Sequence, residues 1–225
     1  MKHVSTPAIL RMAAALTLLL GAFGYFKLTN TSITSSQRAD QIEAIAKEQF
    51  ETHRELTPCT HHSPEMKLTL STARTRLRQL GESEPQILII ILPSFSGATV
   101  VNLSKDNVHS YRFNGQAGYL MPEEQFAATP QRTSKFQPTA STYHEITTTV
   151  SRQIRYAMST TEFGKDGSTY IFAYGDDQCA YTWSPDPPSR AASTAALADE
   201  LSSPQPSNSE LLSIVRSIDQ SYVRH

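Results

Sequence analysis

His53, Cys59, His61 and His62, with Glu65 close behind, bring imidazole, thiol and carboxylate groups into thirteen residues. Imidazole nitrogen and thiolate sulfur are zinc ligands, and Cys-x-His is half of a tetrahedral site. A structural site needs a second spaced pair, and the rest of the domain offers no such pair, only isolated histidines such as His109 and His144. The side chains of adjacent His61 and His62 diverge, so they do not converge on one ion. The expectation is therefore no metal and no cofactor, with "TPCTHHSP" a proline-constrained loop that carries Cys59.

The second cysteine lies in "YGDDQCAYTWSPDPP", residues 174–188, beside Asp176 and Asp177. A nucleophilic cysteine needs a neighbouring base or cation to favour its thiolate, and carboxylates do the reverse. A calcium loop would want acids at alternating positions and a distant Glu, and that pattern is missing. Gly-Asp-Asp is better read as the turn between two strands, with the prolines ending the second. "PSFSGATVV" (93–101) puts Ser94 and Ser96 after an apolar strand, as in a hydrolase. It lacks the first glycine of the nucleophile elbow, and β-rich sequence follows where a helix should. His144 and Glu145 are adjacent on a helical pattern and do not face each other. One enzymatic alternative stays open, a small extracytoplasmic hydrolase that assembles dispersed residues such as Ser96, His144 and Asp176.

Tyr170, Phe172, Tyr174, Tyr181 and Trp183 recur with period two on two neighbouring strand patterns. Such a set is either one core face held by aromatic cross-strand pairs or a binding platform for a partner. The triplets Asn30-Thr-Ser32 and Asn102-Leu-Ser104 match the glycosylation acceptor pattern.

The elements that must position these groups begin with the most distinctive segment. "MKHVSTPAILR" is a short basic region, followed by the uncharged apolar run Met12–Phe26. Extended to residues 9–28 it reaches the roughly 20 residues that span a bilayer, with Arg11 and Lys27 able to snorkel. It reads as an uncleaved membrane anchor with the N-terminus inside, by the positive-inside rule. A secretory signal cleaved after Gly24 is the alternative. Either reading sends the rest of the chain out of the cytoplasm. In an oxidising compartment two cysteines favour a disulfide, so Cys59 and Cys179 are expected to pair. Of 20 Lys and Arg, only Lys2, Arg11 and Lys27 lie in the first 27 residues, which hold no acid, leaving 17 against 21 carboxylates. That balance gives no electrostatic footprint for nucleic acid.

Residues 29–36 form a polar spacer, and 36–56 an amphipathic helix with Ile42, Ile45, Ala46 and Phe50 on one face. Residues 65–81 are ambiguous, alternating at Met66, Leu68 and Leu70 but helical at Leu70, Ala73, Leu77 and Leu80. "QILIIIL" (86–92) is a strand buried on both faces. Ala98–Leu103 and Val108–Phe113 pair as a hairpin around "SKDN", and 129–140 reads as a loop. A helix opens near Thr142, "STYIFAYG" and "CAYTW" are paired strands, and two helices follow from Ser189 and Ser207. The expected architecture is α+β, an antiparallel sheet of about four or five strands with helices on one face. Three segments result: 1–28 anchor or signal, 29–36 spacer, and 37–225 a single extracytoplasmic domain. Its expected role is to bind or scaffold a partner in the cell envelope, without nucleic acid.

Overall fold

In the computed structural model of the chain, residues 55–59, 64–105, 107–114, 124, 126–158 and 167–223 are described. They belong to one of two compact units, Gln49–His225. The anchor at 9–28, the spacer, the helix up to residue 54, and His53, His61 and His62 lie outside the described residues. Among the described residues no helix is long and apolar enough to cross a membrane.

The chain order is β1 (Thr57–Pro58), α1 (Pro64–Gln79), β2 (Ile87–Pro93), β3 (Thr99–Leu103), β4 (Val108–Phe113) and β5 (Pro130–Phe136). Then come α2 (Ala140–Arg155), β6 (Ser168–Tyr174), β7 (Gln178–Trp183), α3 (Arg190–Ser202) and α4 (Asn208–Val223). The strands form one antiparallel sheet in the order β1-β7-β6-β2-β3-β4-β5. The unbroken apolar run of β2 explains its central place, since Ile87 to Ile91 are all buried, alternately on the two faces.

One face carries Ile87, Ile89, Val101, Leu103 and Phe172 under Ile146 and Val150 of α2, Leu197 and Leu201 of α3, and Leu211 and Val215 of α4. The other carries Leu88, Ile90, Val100 and Ile171 under Ala73 and Leu77 of α1. Helices therefore cover both faces, which corrects the expectation of a single covered face. α1 runs unbroken from Pro64, and its sparse apolar stripe is what let a strand pattern compete. Among the described residues the sheet has seven strands in place of the expected four or five. β5, expected to be a loop, opens with Pro130 and carries exposed Arg132 and Lys135, the residue types that guard a sheet edge. β1 is only two residues long, and Glu55 and Leu56, expected to end a helix, instead lead into it.

Local chemistry sets the helix starts. Thr139 and Ser189 accept from the backbone N–H groups of Thr142 and Ala192 at 3.1 and 3.0 Å, capping α2 and α3. Ser207 does the same for Glu210 at 3.1 Å at the head of α4. For α2 the cap falls on Thr139, three residues before the expected Thr142.

The glycine of "PSFSGATVV" has a packing reason. A Cβ on Gly97 would stand 1.7 Å from the Phe113 carbonyl oxygen, where the Phe113 N–H donates to Ala98 O at 2.8 Å. Gly97→Ala is expected to push β3 and β4 apart and cost about 1–3 kcal/mol in urea unfolding; an unchanged midpoint would refute the close approach. Ser94 is also built into this end, since its Oγ donates to Gly167 O at 2.9 Å.

Candidate functional site: a groove beside the disulfide

β1 pairs with β7 at Thr57↔Tyr181 and Pro58↔Ala180, so the next residue pair on these strands is Cys59 and Cys179. They form a disulfide with Cα atoms 5.5 Å apart, closing 120 residues of sequence. The pairing read from the sequence is present, although Cys59 lies at the end of an edge strand. Cys59 is 4% exposed and Cys179 is half-buried.

Beside the bridge lies a groove of about 470 Å³. Lys67, Leu70, Ser71 and Arg74 of α1 line it together with Asp176 and Asp177 of the β6–β7 turn and the two cysteines. Three residues make that turn, and Gly175 takes φ 58°, a left-handed conformation that glycine adopts without strain. Arg74 donates to the Asp176 carboxylate, to Gly175 O and, at 3.3 Å, to Glu84. One guanidinium thus ties α1 to the turn and to the α1–β2 connection. Its carboxylate partners are exposed, so the pairs contribute only about 1 kcal/mol or less each. Their role is positional.

The same connection, "GESEP", places a second acid in a buried polar cluster. Glu82 accepts from Tyr111 Oη, from Arg132 at 3.1 Å and from Asn102 Nδ2 at 3.2 Å, and its Oε2 lies 2.7 Å from His109 Nδ1. Arg132 also donates to Tyr111 Oη at 2.8 Å, with its guanidinium 5.4 Å from the Tyr111 ring centre. His109 Nε2 and Asn102 Oδ1 are buried without a hydrogen-bond partner among the described residues. Burial raises the Glu82 pKa, but hydrogen bonds from Tyr111 and His109 and the charges of His109 and Arg132 outweigh it, and the carboxyl titrates below its ordinary range. Burial and the bond to Glu82 push Tyr111 up to about 12, against the opposing Arg132. The cluster clasps the α1–β2 connection onto β3, β4 and β5.

A pH dependence follows. A carboxyl with a depressed folded-state pKa stabilises the fold above its unfolded value and loses that contribution as pH falls through the folded one. Wild-type stability is therefore expected to fall below about pH 4.5, the ordinary Glu value. Glu82→Gln should be less stable at pH 7 and should fall less steeply in acid. Burial raises the Asp199 carboxyl against its bond from Tyr170, so Asp199 contributes with the opposite sign, and the comparison of the two proteins isolates Glu82. Parallel urea midpoints from pH 3 to 7 would remove Glu82 from this role.

The aromatic set does not share a face. Phe172 is in the core under α2, α3 and α4, with Tyr170 and Tyr174 packed against it, and Tyr170 donates to Asp199 at 3.2 Å. The register pairs Ile171 with Tyr181 and Thr169 with Trp183, which turns Tyr181 and Trp183 toward the α1 face. Ser96, His144 and Asp176 are not brought together either. Ser96 follows the end of β2 at Pro93↔Ser168, whereas Asp176 lies beyond the other end at Ile87↔Tyr174, a strand length of roughly 20 Å away. His144 is exposed on α2, in the layer opposite α1. Asn102 is 1% exposed and bonded to Glu82, which closes its triplet to glycosylation in the folded state. Among the described residues no group of three or more His, Cys, Asp or Glu could hold a metal ion.

Fold and site define an α+β domain whose disulfide borders a charged groove. No family model, curated protein or solved structure matches the chain.

Proposed function

We propose that the chain is a membrane-tethered extracytoplasmic domain that binds or scaffolds a protein partner in the cell envelope, through the groove between α1 and the β6–β7 turn. The observation that carries this reading is the groove, a concavity within the size range of binding sites, held in shape by Arg74 and bordered by a covalent bridge. The disulfide supports the compartment, since such bonds persist where the surroundings oxidise. Leu70 shares the lining with Lys67 and the Asp176–Asp177 pair, so the groove offers an apolar contact together with both signs of charge, which suits a protein segment. The hydrolase alternative gains nothing from the placement of Ser96, His144 and Asp176.

The test is site-specific photocrosslinking of the full chain in its own envelope. A crosslinker at Ser71, exposed in the groove, is expected to capture one discrete protein. The same group at Thr148, exposed on α2 beyond the other face, is expected to capture none. No adduct at Ser71, or the same adducts at both positions, would overturn the reading.

A further inference from the structure

We propose that the Cys59–Cys179 bond is a thiol-exchange site, open to attack in the folded protein, with Cys179 as the sulfur attacked and a protein or small-molecule thiol as the reactant. This inference is independent of the partner reading.

Three observations carry it. Both cysteines line the groove, so the bridge borders a cleft that the folded domain presents. The two sulfurs are unequally presented, because Cys59 is 4% exposed and Cys179 is half-buried. β1, which ends one residue before Cys59, has only two residues in register with β7, so separating the sulfurs strains only a short ladder.

The exchange proceeds as follows. A thiolate enters the groove and attacks Cys179 Sγ, forming a new S–S bond there. The Cys59–Cys179 bond breaks, and Cys59 Sγ leaves with the electron pair and takes a proton from water. A dithiol reactant completes the reaction when its second thiolate attacks the mixed disulfide. Cys179 leaves as a thiolate and takes a proton from water, the reactant becomes a disulfide, and the protein has gained two electrons and two protons. The lining charges cancel, Lys67 and Arg74 against Asp176 and Asp177, so access rather than charge selects the sulfur. The reaction frees β1 from β7 at the groove, which couples the redox state of the bridge to the shape of the site.

The experiment uses the purified full chain and reduced glutathione at neutral pH without denaturant, followed by acid quench, alkylation and peptide mass mapping. Glutathione is expected on Cys179 and the alkyl group on Cys59, at a rate that stays flat in low urea. Ser71→Trp, which fills the groove from an exposed position, is expected to slow the reaction at least about tenfold at an unchanged thermal midpoint, because exchange depends on access. Modification only at urea concentrations that unfold the domain, or glutathione on Cys59 or equally on both cysteines, would overturn the proposal. The wild-type urea dependence decides the question even if the tryptophan variant folds poorly.

Discussion

Replacing both cysteines, Cys59→Ala with Cys179→Ala, is expected to lower the unfolding free energy by about 5 kcal/mol. The bridge closes a loop of 120 residues, and the chain-entropy model gives a loss of that order when such a loop is opened. A domain of this size has on the order of 5–15 kcal/mol in total, so the variant should sit near the edge of folding at 37 °C. Within the sheet, the ladder of two-residue β1 with β7 is confined to Thr57 and Pro58. Urea unfolding of the oxidised protein and the double variant measures the difference. A loss under about 1 kcal/mol would show that the denatured chain is already constrained without the bond.

Glu55→Ala is the second large loss, about 3–5 kcal/mol, because it removes one partner of a buried ion pair. Glu55 Oε1 accepts from the Arg190 guanidinium, and the two side chains are only 8% and 7% exposed. Glu55 Oε2 has no hydrogen-bond partner among the described residues, so this single contact offsets the desolvation of the whole carboxylate. The substitution takes the Glu55 carboxylate away from the buried Arg190 guanidinium. Glu55→Met combined with Arg190→Leu should recover most of the loss, since a buried pair and a well-packed apolar replacement are often near equal. A double-mutant cycle in urea reads the coupling directly. If Glu55→Ala costs no more than a surface substitution, the pair is not buried in solution.

These two interactions act on the same piece of chain. Glu55 lies two residues before β1 and bonds the first residue of α3, whereas Cys59 lies one residue after it and bonds β7. The smallest strand of the sheet is held at both ends by its strongest local contacts. The groove borders the disulfide end of this arrangement.

The parts of the fold legible in the sequence are those where a local pattern and its burial coincide. "QILIIIL" (86–92) read as a strand buried on both faces, and the "SKDN" turn pointed to the β3–β4 pairing. Ser189 and Ser207 marked two helix starts through their own side chains. β5 was hidden because an edge strand facing solvent carries no apolar alternation and is protected by proline and charge. The aromatic residues show a different limit. Each strand announced its own alternation, but whether two strands present their aromatics to one face depends on the parity of the turn between them. The three residues of the Gly175–Asp177 turn pair Tyr174 with Gln178 and so place Tyr181 opposite Ile171.

The site was legible only at its covalent link. The expected export segment and the even number of cysteines suggested the pairing, but the sequence says nothing about the groove that α1 forms with a turn 102 residues further on, at Asp176. The Glu82 cluster was missed for the same reason. Its members lie 20 to 50 residues from Glu82 in Asn102, His109, Tyr111 and Arg132, and no short motif joins them. Two weak signals were present: the acids of "GESEP" between a helix and a strand, and His109 with Tyr111 at i, i+2 on one face of β4.

The most direct test of an extracytoplasmic, disulfide-closed domain is the thiol state of the chain in its own cells. Cells are quenched in acid, the protein is denatured, and free thiols are alkylated with a mass-tagged maleimide before and after reduction. The account predicts no tag on Cys59 or Cys179 before reduction and a tag on both afterwards. Tagging of both cysteines without prior reduction would place the domain in a reducing compartment and contradict it.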